Sequence, residues 1–223
     1  MTCLFKAVWF DLDGTLMDTA NDLAAAINAC IYDAGYPTAA AETIKRHINE
    51  GAKSMLSAAL ACERSDTIIE TLLTKFPPYY EANLCDKTAW FDGMEKIVTR
   101  LENDNIPWGV VTNKAERYSI PLIKKLGLDK RVAALVCGDT TAKTKPSPQP
   151  LLFACQQVGI NPDKCIFIGD SSNDIQAGNE AGMVTVAAGY GYLDSGKQIS
   201  DWQADYIIEQ ANELTEILWR ADD

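Results

Sequence analysis

Several kinds of signal are missing from this chain of 223 residues. No strand-to-helix turn carries G-x-G-x-x-G or G-x-x-x-x-G-K-[ST], so nucleotide binding by a glycine-rich loop has no support. The seven cysteines are odd in number and scattered, and no C-x-x-C pair occurs, a pattern that predicts reduced core thiols in a cytoplasmic protein. No apolar signal segment separates Met1 from Lys6 and Asp11, and no later stretch reaches the roughly 18 uncharged apolar residues of a spanning helix. Neither secretion nor a membrane partner is expected. Positive charge is short: 20 Lys and Arg against 31 Asp and Glu leave a net charge of −11, which repels nucleic-acid backbones. A small anionic substrate would therefore need a local cation. Histidine occurs once, as His47 in a helical stretch, and is expected to be structural.

What is present begins with D-L-D-G-T-L from Asp11 to Leu16, directly after the apolar run Ala7-Val8-Trp9-Phe10. In extended geometry residues i and i+2 share a side, and the carboxyl end of a strand in an open α/β sheet is where ligands bind. Asp11 and Asp13 can therefore address one substrate atom. Gly14 permits a sharp turn, and the Thr15 hydroxyl with the loop N–H groups can face an anion such as phosphate.

The pattern changes character near residues 18 and 88, as it would if one domain were inserted into another. Leu23, Ala26, Ile27, Cys30, Ile31 and Ala34 recur at helical spacing, with Thr19 or Asn21 as cap and Gly35 and Pro37 as stop. Further helices are expected near 39–48, 52–62 and 66–81, with no convincing strand among them. From Phe91 onward, helices alternate with short apolar strands at 108–111, 133–137, 165–168, 184–187 and 206–208, and a helix closes the chain over 213–219. This alternation predicts a doubly wound parallel α/β sheet with right-handed crossovers. The expected division is a core of residues 1–18 and 88–223 and a helical cap of residues 19–87.

Three later strands also end in polar residues. Val111 leads into Thr112, Asn113 and Lys114; Cys137 leads toward Lys145-Pro146; Ile168 leads into Gly169, Asp170 and then Asp174. In a parallel sheet these ends share one edge with Asp11 and Asp13, and four carboxylates gathered there need cations. Mg²⁺ fits, because it prefers hard oxygen ligands and commonly binds one or two carboxylates plus a substrate phosphate. Asp11 and Asp170 are the expected ligands. Lys145 supplies a second positive charge, while Thr112 and Asn113 are placed to hold phosphoryl oxygens. Asp11, nearest the rigid strand end, is expected as nucleophile forming an aspartyl-phosphate, and Asp13 as general acid and base.

These motifs resemble those of the haloacid dehalogenase superfamily: D-x-D-G-T at Asp11, Thr-Asn at Thr112, Lys-Pro at Lys145, and G-D-x-x-x-D from Gly169 to Asp174. The resemblance spans essentially the whole chain. It implies a Rossmann-like core, a helical cap inserted after the first motif, Mg²⁺, and phosphoryl transfer through an aspartyl-phosphate. It also implies metal ligation by the backbone carbonyl of Asp13 and by Asp174, directly or through water. Asp13 together with Thr15 resembles the phosphatases of the superfamily. Asp11 to Thr19, Val110 to Lys114, Gly169 to Ala177 and Tyr190 to Tyr192 are similar to phosphoglycolate phosphatases. Glu50 to Met55, Phe91 to Met94, Trp108 to Lys114 and Trp202 to Asp205 are similar to N-acetylmuramic acid 6-phosphate phosphatases.

A closing cap would restrict substrates to small phosphorylated metabolites. Within it, Gly51 offers a tight loop that could reach the substrate, with Glu50 or Lys53 expected to contact the leaving group. A phosphomutase and a non-catalytic binding protein on the same fold are the alternatives, and either a monomer or a homodimer is compatible with the sequence.

Overall fold

Every residue of the runs Ala7–Phe10, Trp108–Val111 and Cys165–Gly169 is buried, so these strands have no solvent side and need cover on both faces. The structure, a computed structural model, describes residues 2–194, 196 and 198–220; the expected core termini at residues 1 and 221–223 lie outside the described residues. Six strands, β1 (Ala7–Phe10), β2 (Trp108–Val111), β3 (Leu135–Val136), β4 (Cys165–Gly169), β5 (Val184–Ala188) and β6 (Tyr206–Ile208), form one parallel sheet in the order β3-β2-β1-β4-β5-β6. The chain starts at the centre, winds outward to β3, then crosses back to wind the other way. Beside β1 the strand order reverses, which is where open α/β sheets bind ligands.

The helices in chain order are α1 (Ala20–Asp33), α2 (Ala41–Lys45), α3 (Ala52–Leu60), α4 (Thr67–Ala82), α5 (Met94–Asn103), α6 (Glu116–Lys125), α7 (Gln149–Val158), α8 (Ser172–Ala181) and α9 (Leu214–Leu218). Successive strand residues face opposite ways. Ala7 and Trp9, with Val111 and Phe167, therefore pack under Leu151 and Ala154 of α7 and Ala177 and Ala181 of α8. Val8 and Phe10, with Val110, Ile166 and Ile168, pack under α5, α6 and α9. This second core continues through Leu12, Leu16 and Met17 into the helical insert, where α1, α3 and α4 contribute Ile27, Leu56 and Leu72.

The insert leaves and rejoins the core through an antiparallel pair, Met17–Asp18 with Ala89–Trp90, and all regular structure between them is helical. Several local expectations are corrected. The helix expected over 39–48 ends at Lys45 and passes into a 3₁₀ turn, Ile48–Glu50, that lowers Asn49 toward the sheet edge. Thr19 precedes α1 but does not cap it, because its hydroxyl donates instead to Asp13. The strand expected over 133–137 is only Leu135–Val136, at the sheet edge. The closing helix stops at Leu218, since Trp219–Arg220 pairs with Thr2–Cys3 while the Trp219 indole donates to Asp104 at 2.6 Å.

Candidate active site

Strand geometry brings the predicted cluster together. Asp11 follows β1, its amide donating to the Ile168 carbonyl of β4 at 2.9 Å, and Asp170 follows β4 directly. Asp174 lies in the first turn of α8, where Ser171 and Asp174 form a reciprocal capping box. Carboxylate oxygens of Asp11, Asp170 and Asp174 lie within 4.8 Å of one another, all buried. Three such carboxylates form a hard-oxygen donor set with excess negative charge, which fits a small divalent cation.

Lys145 is 3% exposed and brings an ammonium into this cluster. Its Nζ donates to Asp11 Oδ1 at 2.6 Å and to the Val111 carbonyl at 2.7 Å, and it pairs with Asp174 Oδ1 at 2.6 Å. All three N–H bonds are therefore engaged. The Asn113 side chain fixes this lysine from behind, donating to its carbonyl at 2.9 Å and accepting from its amide at 3.0 Å. Burial alone would strip the ammonium of its proton, but Asp11 and Asp174 more than offset it and hold the Lys145 pKa above its ordinary value.

The carboxylates are pulled both ways. Burial pushes Asp11 up to about 7, against the opposing attraction of Lys145, with Asp174 adding to the rise. Asp170 is also raised, first by burial and then by Asp11 and Asp174, although the Tyr192 amide and Asn49 bond to it. A cation bound among them would favour the ionised forms of Asp11 and Asp170.

Asp13 lies apart from this trio and has its own partner. Both its oxygens accept from Lys114 Nζ, at 2.9 and 3.0 Å, and Oδ1 also accepts from the Thr19 hydroxyl at 2.5 Å. Burial acts to lower the Lys114 pKa, yet Asp13 outweighs it and the net shift is upward. Asp11, Asp13, Thr112, Asn113, Lys145 and Asp174 all line one cavity of about 230 Å³ between the sheet edge and the helical insert. Gly51 lines it from the insert side, as do Asn49 and Tyr80.

Three expected contacts fall elsewhere. Thr15 is fully buried and its hydroxyl donates to Asp170 Oδ1 at 3.3 Å, so it braces a carboxylate instead of facing an anion. Lys53 does not line the cavity, because its ammonium pairs with Glu70 on α4. Glu50 turns outward to His47 Nδ1 at 3.0 Å and to Arg64 at 3.9 Å. Asn49, Lys114 and Tyr192 were not expected. Asn49 donates to the Asp170 carbonyl and Oδ2 at 3.3 and 3.2 Å. The Tyr192 hydroxyl accepts from the amides of Thr19 and Ala20 and donates to Asp18, tying the start of α1 to the loop that also holds Asp170. Lys114 stands two residues after Thr112 in sequence, so a search for the cation facing Asp13 could have found it.

The sequence model of the haloacid dehalogenase-like hydrolase family matches residues 8–188. N-acetylmuramic acid 6-phosphate phosphatase of Pseudomonas aeruginosa is 37% identical over 216 residues, covering 97% of this chain and 96% of that protein. Phosphoglycolate phosphatase of Xanthomonas campestris pv. campestris is 39% identical over 211 residues, covering 95% of each. Among solved structures, a predicted phosphoglycolate phosphatase from Haemophilus somnus superposes with a TM-score of 0.84 at 28% identity, over 96% of this chain and 98% of that one. With the family's strand-end motifs converging on one cavity and full-length relatives on both sides, this chain belongs to the haloacid dehalogenase-like hydrolase family.

Proposed function

We propose that the protein is a Mg²⁺-dependent phosphatase that hydrolyses a small phosphomonoester through an aspartyl-phosphate at Asp11. The observation that carries this reading is the buried trio Asp11, Asp170 and Asp174, two of which, Asp11 and Asp174, line one cavity together with Lys145 and Asp13. Residues 19–87 act as the cap, and residues 1–18 and 88–223 as the core.

The roles follow from position. Asp11 attacks phosphorus from the end of β1, and the bond from phosphorus to the ester oxygen breaks. Lys145 favours the ionised form of Asp11 and presents positive charge to the phosphoryl oxygens, while the Thr112 hydroxyl bonds another of them. Asp13 gives a proton to the departing oxygen, then takes one from the water that attacks the aspartyl-phosphate, releasing phosphate and restoring Asp11. Lys114 orients the Asp13 carboxylate. Asp11, Asp170, Asp174 and the Asp13 carbonyl would hold Mg²⁺, which when bound neutralises phosphoryl charge. The cap shields the reaction from water and limits the substrate's size.

2-Phosphoglycolate and N-acetylmuramic acid 6-phosphate are the candidate substrates, from the relatives at 39% and 37% identity. Phosphate release should be measured on both, with hexose phosphates and nucleoside monophosphates, in Mg²⁺ and in EDTA. Release abolished by EDTA and by Asp11→Asn is the expected result. Release that persists in Asp11→Asn refutes the aspartyl-phosphate route.

A further inference from the structure

Tyr80 is 1% exposed, yet its ring lines the catalytic cavity. It closes the buried stripe Ile69, Leu72, Phe76, Tyr80 of α4, which runs at helical spacing through Pro77 and Pro78. The ring stacks on Phe76 at 6.0 Å with planes 10° apart, and meets Tyr118 of α6 edge-on at 5.2 Å. Lys114 Nζ, the partner of Asp13, lies 4.6 Å from its ring centre. The ring is thus wedged between the insert and the side of the site where the leaving group departs. Its hydroxyl is buried and makes no well-aligned hydrogen bond to a described residue, the Lys114 ammonium being close enough only for a weak interaction. A buried polar atom is normally paired, and leaving one bare is unfavourable. The hydroxyl also remains protonated at neutral pH, since burial pushes its pKa up to about 12.

We infer that the Tyr80 hydroxyl is a specificity-determining contact that hydrogen-bonds a hydroxyl or ring oxygen of the substrate's leaving group, and that this leaving group is a sugar ring. The inference rests on the phosphatase reading and narrows it. Leu23, Met55 and Phe76 give the cavity an apolar wall beside the tyrosine, suited to the C–H face of a pyranose. A two-carbon leaving group such as glycolate has no ring face to lay against that wall.

Tyr80→Phe keeps the ring and removes only the hydroxyl. The wild type should favour N-acetylmuramic acid 6-phosphate over 2-phosphoglycolate in kcat/KM, and the variant should lower that ratio about 10-fold. Its melting temperature should equal or exceed that of the wild type, because no well-aligned hydrogen bond within the protein is lost. A wild type that favours 2-phosphoglycolate, or a ratio unchanged in the variant, overturns the inference while leaving the phosphatase reading intact. A lower melting temperature overturns its premise, showing that the hydroxyl has a structural partner. If the wild type releases phosphate from no substrate, the phosphatase reading fails and this inference falls with it.

Discussion

Replacing Lys145 with Met tests the charge balance of the site directly. The ammonium is bonded to Asp11, Asp174 and the Val111 carbonyl at 2.6 to 2.7 Å, and methionine fills similar space without charge. Breaking a buried ion pair by removing one partner costs about 3–5 kcal/mol, because the remaining charge stays buried. For a chain of this size each kcal/mol shifts the melting temperature by about 2–4 °C, so a fall of about 6–20 °C is expected in EDTA at pH 7. The loss has a pH signature. Asp11 titrates near 7 in the folded protein and near 4 unfolded, so its neutral form favours folding below about 4. That contribution is lost as pH rises through about 7. Without Lys145 to draw the Asp11 pKa down, Asp11 in the variant stays neutral to higher pH, so the variant's deficit should be level between about 4 and 7 and grow as pH rises above about 7. Mg²⁺ should restore part of the lost stability by replacing the missing positive charge, even where catalysis is gone. Thermal unfolding across pH, with EDTA and with Mg²⁺, reads all of this. A variant as stable as the wild type in EDTA, or a deficit indifferent to pH, would refute the reasoning.

Three other perturbations give separable outcomes. In Gly14→Ala the new Cβ would lie 2.1 Å from Asp170 Oδ2, on a backbone with φ of 86°. The conformation alone costs about 1–3 kcal/mol, and the displaced carboxylate should reduce the rise in melting temperature produced by Mg²⁺; an unchanged Mg²⁺ response argues against Asp170 as ligand. Lys53→Ala should change the ranking of substrates by less than about 2-fold in kcat/KM, because its ammonium is occupied by Glu70 of α4 within the helical insert. The Arg131 bond, with help from the Trp108 indole, holds Glu102 below its ordinary pKa, so it stabilises above about pH 4 and less as pH falls below that. Glu102→Gln should therefore lose about 1 kcal/mol at pH 7, and a deficit of equal size at pH 3 would show that the ion pair is not its source.

Much of the core was legible because its signals are local. Each central strand is an apolar run that stops at a polar residue, and in a parallel sheet those stops share one edge. The pairing of Lys145 with both Asp11 and Asp174 follows from that convergence. The insert was harder to read, since its residues were judged by charge. Glu50 and Lys53 looked functional but pair with other side chains of the insert, Glu50 with His47 and Lys53 with Glu70, whereas uncharged Asn49 reaches Asp170 because α2 ends early. Tyr80 sits at core spacing, and only its solitary hydroxyl separates it from packing residues such as Leu72. Thr15 and Thr19 share a residue type with hydroxyls that bind anions or cap helices, but which acceptor each meets is decided by segments far away in sequence or by the turn between them.

The two-sided burial of β1 also bears on how the chain finds its pairing. A strand with one apolar face is punished for slipping by one residue, because its greasy side would turn to water. Ala7, Val8, Trp9 and Phe10 are apolar on both sides, so a slip would forfeit little burial. What distinguishes the native alignment lies at its rims. Gly109 opposite Trp9 is crowded so tightly by the Ala134 carbonyl and the Trp9 ring that no side chain fits there, and a shifted neighbour would bring one. At the other end, a slip would carry Asp11 either into the hydrocarbon interior or away from Lys145. The charged residues that weaken this protein as buried ions therefore act as its alignment marks, and a chain stripped of them would be freer to pair out of step.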